Sequence, residues 1–391
     1  MSLYRTLKRV IGNNALILSV LGAGVSLPSA SAYAADTFNF GQGQWLSIGA
    51  GLRADTTTAS AFSAEGNGLD TSQQFGLDNA RLYLSGGVNQ YIKGTFDTDK
   101  APDGPLEVLD AYIQFEPMDT FNVWIGQMLP PSDRANLDGP FYLSSWLFPG
   151  IVSQYPARFM GRDIGGTIWG KALNEKLVYS VGSYLGHNRI TGASNEFDHP
   201  LFAARVAYNF WDAEPDPAYY ESSTYYGKYN ILTIALAGQF QQDGVGTAVT
   251  HGDYASWNAD ALFEKNFPGV GVFTLEGAYY QYNTGGVTDV PTTFNGAGLT
   301  ANVGGLTQGH AYLASGDYML PFNVGPGGVQ PYVRYQRFDA SLTGVTSQQY
   351  DFGVNYVLKG HDALISLDYA RDTISDQPNS YMLVLGFQVQ L

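Results

Sequence analysis

Apolar and polar side chains alternate with a period of two through most of this sequence. Residues 80–86 place Ala80, Leu82 and Leu84 on one face of an extended segment and Arg81 on the other. Because successive side chains of a β-strand point to opposite faces, the alternation predicts strands that separate an apolar from a polar environment. Segments of about ten residues with this pattern are typical of transmembrane β-barrels. Soluble antiparallel sheets alternate as well, so the number of strands and their connections must decide.

The number of alternating segments is sixteen, an even number, as in single-chain bacterial barrels. The predicted fold is therefore all-β, a sixteen-stranded antiparallel transmembrane β-barrel. A closed ring leaves no unpaired strand edge in the hydrocarbon of a membrane. The expected strands lie near 43–53, 77–89, 91–97, 107–116, 120–128, 162–171, 175–186, 200–210, 228–241, 252–264, 270–283, 307–320, 328–339, 347–358, 361–372 and 380–391.

The connections between these strands differ in length at the two ends of the expected barrel. Short turns follow the even-numbered strands, for example 89–90, 172–174 and 359–360. One exception is 211–227, a long connection on the short-turn end. Short periplasmic turns opposite longer external loops are a property of outer-membrane barrels. The longer connections after odd-numbered strands are expected at 54–76, 129–160, 187–200 and 284–307.

The N-terminus has the features of a secretory signal peptide. Three basic residues precede an apolar run at 15–27, and small residues follow at Ala32 and Ala34. This order predicts export, with cleavage after Ala34 and a site after Ala32 as the alternative. The apolar run is shorter than the roughly 20 residues that a spanning helix needs. We therefore expect 1–34 to be the signal peptide and 35–391 to be the barrel domain.

Charge and cysteine content exclude several classes of protein. The net charge is −15, and it becomes −18 without the three basic residues of the signal peptide. A basic surface for nucleic acid is therefore absent. The chain has no cysteine, so it has neither disulfides nor thiolate metal sites. Its five histidines lie far apart without a metalloprotease spacing, and we predict neither a cofactor nor a metal.

The connection at 129–160 is unusually long and contains five prolines. Structureless connections of this length in a compact domain are mostly functional or disordered. Aromatic anchors argue against disorder. We therefore expect this loop to fold into the barrel interior and to control what can pass. The six aromatic residues are Phe141, Tyr142, Trp146, Phe148, Tyr155 and Phe159.

Five short segments carry a resemblance to a known family. They are 78–86 (DNARLYLSG), 110–115 (DAYIQF), 126–131 (GQMLPP), 161–165 (GRDIG) and 360–369 (GHDALISLDY). In order and spacing they resemble the phosphate-selective porin O and P family of Gram-negative outer membranes. The resemblance implies a homotrimeric sixteen-stranded porin of the outer membrane whose third loop folds inward.

The charges of the third loop depart from what phosphate selection in that family requires. Members that select phosphate have rows of arginines and a lysine cluster, whereas 127–131 lacks a lysine that the pattern often has. The four charged residues of the loop sum to zero, and Arg134 is the best candidate for a constriction arginine. Arg162 and Asp163 at the return of the loop could form a hinge ion pair. The candidate constriction residues are Asp133, Arg134, Asp138, Arg158, Arg162 and Asp163.

Strand parity assigns further charged residues to the wall of the lumen. Fixed charges there bias which ions enter a pore. For each residue a cross-barrel ion pair is the alternative role. Acids outnumber bases, which predicts weak selectivity or a preference for cations. The basic wall residues are Arg81, Lys93, Arg205 and Arg334, and the acidic ones are Asp97, Asp110, Asp260, Glu276, Asp317, Asp351 and Asp368.

The expected function is passive diffusion of small hydrophilic solutes or ions through an outer-membrane channel. Expected partners are outer-membrane lipid and lipopolysaccharide. Carboxylates of the external loops could bind divalent cations shared with lipopolysaccharide, although solubility is the simpler account of these charges. One alternative is a non-conducting barrel that acts as an adhesin, a phage receptor or a structural protein. The other is an outer-membrane hydrolase, for which His310 is the histidine to test.

Overall fold

Sixteen antiparallel strands form one closed barrel. The computed structural model describes residues 35–62, 69–100, 104–157, 159–186, 199–246, 249–287 and 306–391. The predicted signal peptide lies outside these residues. The strands of the ring are β1 (Gln44–Phe62), β2 (Leu69–Gly87), β3 (Ile92–Lys100), β4 (Leu106–Met118), β5 (Phe121–Met128), β6 (Asp163–Ala172), β7 (Leu177–Tyr184), β8 (Leu201–Asn209), β9 (Ile231–Gly246), β10 (His251–Phe267), β11 (Gly271–Asn283), β12 (Gly309–Met319), β13 (Gly327–Ala340), β14 (Thr346–Lys359), β15 (Ala363–Ile374) and β16 (Ser380–Gln390).

Each strand of the ring pairs with its neighbours in sequence, and β16 closes the ring on β1. Two short strands lie beside the ring. Ala35–Gly41 pairs with the beginning of β1, and Asn323–Val324 pairs with the beginning of β13. The predicted number of strands and their antiparallel order are therefore confirmed.

The first hairpin is longer than its sequence pattern predicts. The expected loop at 54–76 is wrong, because β1 continues to Phe62 and β2 begins at Leu69. Thr56, Thr57 and Thr58 pair directly with residues of β2. Threonine is β-branched and favours strands even where the apolar alternation has stopped.

The barrel buries its polar face and exposes its apolar face. In β8, Phe202 and Val206 are exposed, whereas Arg205 is only 4% exposed. In β16, Leu385 and Phe387 are likewise exposed. A soluble sheet has the opposite polarity, whereas a strand between lipid and an aqueous interior has this one. Among the described residues, no helix is long and apolar enough to cross a membrane.

The 129–160 loop contains one short helix, α1 (Arg134–Asp138), so the expectation of a connection without helix or strand is wrong at this point. Asp133 caps α1, because its side chain accepts a hydrogen bond from the Asn136 amide. The carboxylate satisfies one of the N–H groups that the first turn of a helix leaves without a partner. Gly139 ends α1 with a φ of 62°.

Candidate functional site

Polar side chains of β13 and β14 form hydrogen bonds with the middle of the 129–160 loop. Arg334 of β13 donates to the Ser145 hydroxyl at 2.5 Å and to the Leu147 carbonyl at 2.6 Å. Asn355 of β14 donates to the Ser144 carbonyl at 2.6 Å. These bonds satisfy loop carbonyl groups that are shielded from water, where an unpaired carbonyl would be costly.

Two aromatic rings of the loop lie directly on glycines of the wall. The ring of Trp146 contacts the position where Gly386 would carry a Cβ, and the ring of Phe141 approaches Gly51 in the same way. Only a residue without a side chain leaves room for this contact. The guanidinium of Arg53 in β1 lies over the ring of Trp146, with 3.9 Å between its Cζ and the ring centroid. Trp146 is therefore fixed between β16 and β1.

Tyrosines of β11 hold two other parts of the same loop. The Tyr280 hydroxyl donates to Asp133 at 2.7 Å, and the Tyr282 hydroxyl donates to the Val152 carbonyl at 2.7 Å. From β9, Gln239 donates to the Pro131 carbonyl at 3.1 Å. The loop that begins after β5 therefore contacts strands far around the ring.

A second segment meets the loop, the connection between β8 and β9 at residues 210–230, which we call the 210–230 connection. Glu214 from this connection and Arg134 from α1 form a bidentate ion pair, with both N–O distances at 2.8 Å. Arg134 also donates to the Ser222 carbonyl at 2.9 Å. Arg134 is fully buried. Bidentate pairs of this kind fix both distance and orientation.

A second arginine links the same connection to the wall. Arg205 of β8 donates to Glu221 of the connection at 2.7 Å and to Asp260 of β10 at 2.6 Å. It also donates to the Ser132 carbonyl of the loop at 3.0 Å. Arg205 thus bonds to the barrel wall, to the 129–160 loop and to the 210–230 connection.

Hydrogen bonds between side-chain hydroxyls and backbone groups join the two segments as well. The Tyr219 hydroxyl donates to the Leu129 carbonyl at 2.7 Å, and the Ser144 amide donates to the Ser223 hydroxyl at 2.7 Å. The end of the connection is fixed by Glu264 of β10, which accepts bonds from the amides of Tyr225 at 2.9 Å and of Gly227 at 2.7 Å. The connection is therefore an ordered part of the site.

Burial sets the protonation of the acids in the connection. Burial raises the pKa of Asp216 to about 7 and that of Glu221 to about 7. Burial also opposes ionisation of Glu214, but the charge and hydrogen bonds of Arg134 outweigh it and lower the pKa of Glu214 to about 2. Near neutral pH, Glu214 is therefore the fixed anion, whereas Asp216 and Glu221 titrate.

The candidate constriction residues do not form one cluster. Asp133, Arg134 and Asp138 belong to α1 and its cap, and all three are buried. The hinge pair between Arg162 and Asp163 is wrong, because Arg162 pairs with Asp110 of β4 at 3.2 Å. Asp163 accepts a bond from the Gly186 amide instead. Arg158 lies outside the described residues.

The wall residues fall on the buried side of the strands. Arg334 pairs with Asp351 at 2.8 Å, and Lys93, which is half-buried, pairs with Glu116 at 2.6 Å. Arg81 pairs with Asp99, a residue that strand parity did not select. Other buried acids that parity selected are Asp97, Asp110, Asp260, Glu276, Asp317 and Asp368.

Sequence reasoning missed the acids of the 210–230 connection and Arg53. Arg53 is the last residue of its expected strand and was not assigned a face. Glu214 and Glu221 lie in the connection whose length did not fit its end of the barrel. The 210–230 connection contains two prolines and seven aromatic residues, the same features that singled out the 129–160 loop. This composition was the available signal.

The fold has solved counterparts, although sequence comparison finds none. No family model matches the chain, and no curated protein sequence matches it. The anion-selective porin from Comamonas acidovorans has a TM-score of 0.58 at 13% identity, over 89% of this chain and 100% of that one. OmpF of Salmonella typhi in complex with daunomycin has 0.59 at 10%, over 90% and 98%. The outer-membrane channel DcaP of Acinetobacter baumannii has 0.53 at 14%, over 90% and 99%. At these identities the likeness is one of fold.

Proposed function

We propose that this protein is an outer-membrane porin, a water-filled channel for passive diffusion of small hydrophilic solutes or ions. The observation that carries the proposal is a closed ring of sixteen strands whose polar side chains face inward and whose apolar side chains face outward. Fold neighbours described as a porin and as an outer-membrane channel support it. In this proposal the barrel lies in outer-membrane lipid beside lipopolysaccharide after residues 1–34 have been removed, and it assembles as a homotrimer.

We further propose that the 129–160 loop crosses and constricts the lumen. The loop bonds to Arg53 of β1 and to Gln239 of β9. These strands are eight positions apart in a ring of sixteen and are therefore on opposite sides. A segment that reaches both crosses the enclosed space. The 210–230 connection, which enters from the other end, narrows the same space.

The buried charges do not favour phosphate as the solute of the proposed channel. Fifteen acids are buried among the described residues, against six buried arginines. The loop arginine expected to face a permeating anion, Arg134, is enclosed by Glu214, Glu221 and Asp260. The resemblance to phosphate-selective porins therefore supports the fold more than the selectivity.

The second candidate function is a non-conducting barrel that acts as an adhesin, a receptor or a structural protein. The packing of the 129–160 loop against the 210–230 connection favours this function, because in the proposed barrel the two segments together obstruct the path through the lumen. A hydrolase has less support. His310 is half-buried and lies 3.5 Å from Asp339, an acid that can orient a histidine, but no nucleophile contacts it among the described residues.

Planar lipid bilayers distinguish a pore from a closed barrel. Purified folded protein should give discrete conductance steps in KCl solution. Folding is verified independently by heat-modifiable migration in electrophoresis. Folded protein that inserts into the bilayer without any step would contradict the porin proposal and support the non-conducting barrel.

The excess of buried acids predicts ion preference. In a tenfold KCl gradient, we expect a reversal potential close to zero or of the sign for cations, because fixed negative charge favours cations at the entry of a low-dielectric pore. Strong anion selectivity that millimolar phosphate blocks would contradict this expectation.

Conductance should increase as the pH rises from about 5 to about 8. Asp216 and Glu221 have pKa values of about 7 when packed, because burial disfavours their charged forms. In water they would have ordinary values and be ionised at both pH values. Protonation of Asp216 and Glu221 therefore stabilises the packing of the 210–230 connection against the 129–160 loop, and this stabilisation is lost as the pH rises through 7. The Asp216→Asn/Glu221→Gln double variant should flatten the profile. Higher conductance at pH 5 than at pH 8 would oppose the predicted sign.

A further inference from the structure

A cavity lies where the 129–160 loop meets the 210–230 connection. The empty space there is about 380 Å³ when the solvent at its open mouth is counted with it, so the cavity is a partly open cleft. Asp138 from the loop and Asp216, Tyr220 and Glu221 from the connection contribute polar side chains to its lining. Neither segment forms this cavity alone.

Two polar groups in this lining have no hydrogen-bond partner among the described residues. Asp138 is 5% exposed, and neither of its carboxylate oxygens accepts a hydrogen bond. The hydroxyl of Tyr220 is buried and also has no partner. A buried carboxylate without hydrogen-bond donors is unfavourable, because nothing compensates for the water molecules that it loses on burial. A ligand with N–H groups would donate the missing hydrogen bonds.

The charge around the cavity favours a cation. Arg81 and Arg162 also line it, but each forms an ion pair with a wall acid, Asp99 and Asp110 respectively. Arg134, the nearest cation to Asp138 along α1, is already bonded to Glu214. Asp216 accepts hydrogen bonds from the hydroxyls of Ser222 and Tyr225. Asp138 therefore remains as the lining acid that has neither a bonded cation nor a hydrogen-bond donor among the described residues.

The remaining lining is apolar and aromatic. Leu129, Leu137 and Pro217 contribute aliphatic surface, and the rings of Tyr142 and Tyr220 lie beside it. Aliphatic surface accommodates an alkyl chain, and a tyrosine ring attracts an ammonium ion. No group of three or more potential metal ligands occurs in the described part of the chain. This composition fits an organic cation better than a metal ion.

We propose that this cavity binds the primary ammonium group of small alkylamine solutes, with Asp138 as the acceptor of its N–H bonds and Tyr220 as a second contact. As the solute class of the channel, the assignment rests on the proposed function. Binding itself does not depend on conductance, so the two can fail separately.

The titration of Asp138 gives the proposal a second readout. Burial raises the pKa of Asp138 well above its usual range, and Glu276, Glu221 and Asp216 raise it further, against the charge of Arg134. A bound ammonium ion stabilises the carboxylate form and so lowers this pKa. Binding should therefore release a proton and become tighter as the pH rises.

The test is isothermal titration calorimetry of n-butylammonium chloride into the purified, detergent-solubilised protein near pH 8. Asp138→Asn should weaken binding about tenfold or more, since a charge-assisted hydrogen bond is lost while the shape is kept. Tyr220→Phe should weaken it about two- to tenfold. The matched control, Asp119→Asn, removes one acid from an exposed turn and should leave the affinity unchanged.

Tetramethylammonium has the same charge but no N–H donor, so it should bind at least about tenfold more weakly. Undetectable binding of butylammonium to the wild type would overturn the proposal. It would also be overturned if Asp138→Asn bound butylammonium as tightly as the wild type, or if tetramethylammonium bound equally well. Should Asp138→Asn fail to fold, the Tyr220→Phe variant and the two cations still test the proposal. It would then be overturned if folded Tyr220→Phe bound butylammonium as tightly as the wild type and the wild type bound butylammonium and tetramethylammonium equally well. Absence of conductance with intact binding would contradict only the porin function.

Discussion

Replacing residues 213–226 with a three-residue turn should raise the single-channel conductance about two- to fivefold, because the current through a pore follows its narrowest cross-section. The wild-type connection joins two adjacent strands, β8 and β9, that a short turn can connect, as 360–362 connect β14 to β15. Its length is therefore not needed to close the ring. It places Glu214 against Arg134 and Glu221 against Arg205.

The matched control shortens the turn at 321–326 on the same end of the barrel. The residues of that turn are mostly exposed and contact no residue of the 129–160 loop among the described contacts. Conductance of this control should equal that of the wild type. Both variants are measured in planar bilayers after their heat-modifiable migration has shown that they fold. Equal conductance of the folded 213–226 variant and the wild type would mean that the connection does not obstruct the path.

The barrel could be predicted from the sequence because its constraint is local and repeated. In β8, for example, the residues that face outward and the residues that face inward alternate without interruption, so Phe202 and Arg205 can each be assigned a side. Sixteen such segments specify a ring, since each antiparallel neighbour follows in the chain. The extension of β1 to Phe62 was missed because its threonines are neither clearly apolar nor clearly polar.

The candidate site was predicted only in part, because its contacts are distant in sequence. The prolines and aromatics of the 129–160 loop are short-range features, and they predict a functional segment without indicating what it contacts. Strand parity placed Arg205 inward but could not indicate that it would meet Glu221 of the next connection. Arg134 and Glu214 are 80 residues apart and lie in irregular segments. Neither periodicity nor spacing relates two such residues, so their pairing requires the three-dimensional structure.

Removing the charge of Arg134 should have the largest effect on stability of any single substitution in the site. Its guanidinium is fully buried and donates to both oxygens of Glu214 and to the Ser222 carbonyl. Glu221 at 3.7 Å and Asp260 at 3.8 Å lie near it as well. Arg134→Met keeps much of the side-chain volume but leaves Glu214 buried without its cation. Removing one partner of a buried pair costs about 3–5 kcal/mol, because the other charge remains desolvated.

Arg337→Met is the matched control, since Arg337 also forms an ion pair, with Asp339 at 2.8 Å, but its side chain is 41% exposed. Exposed pairs contribute about 0–1 kcal/mol, because water screens both charges before and after the substitution. Denaturant unfolding of the protein in lipid vesicles, followed by tryptophan fluorescence, gives both free energies. A second comparison separates lost charge from lost packing. The Arg134→Met/Glu214→Gln double variant should recover part of the loss, since it removes the stranded carboxylate as well. If Arg134→Met were no more destabilised than Arg337→Met, the buried pair would not be what holds the 129–160 loop to the 210–230 connection.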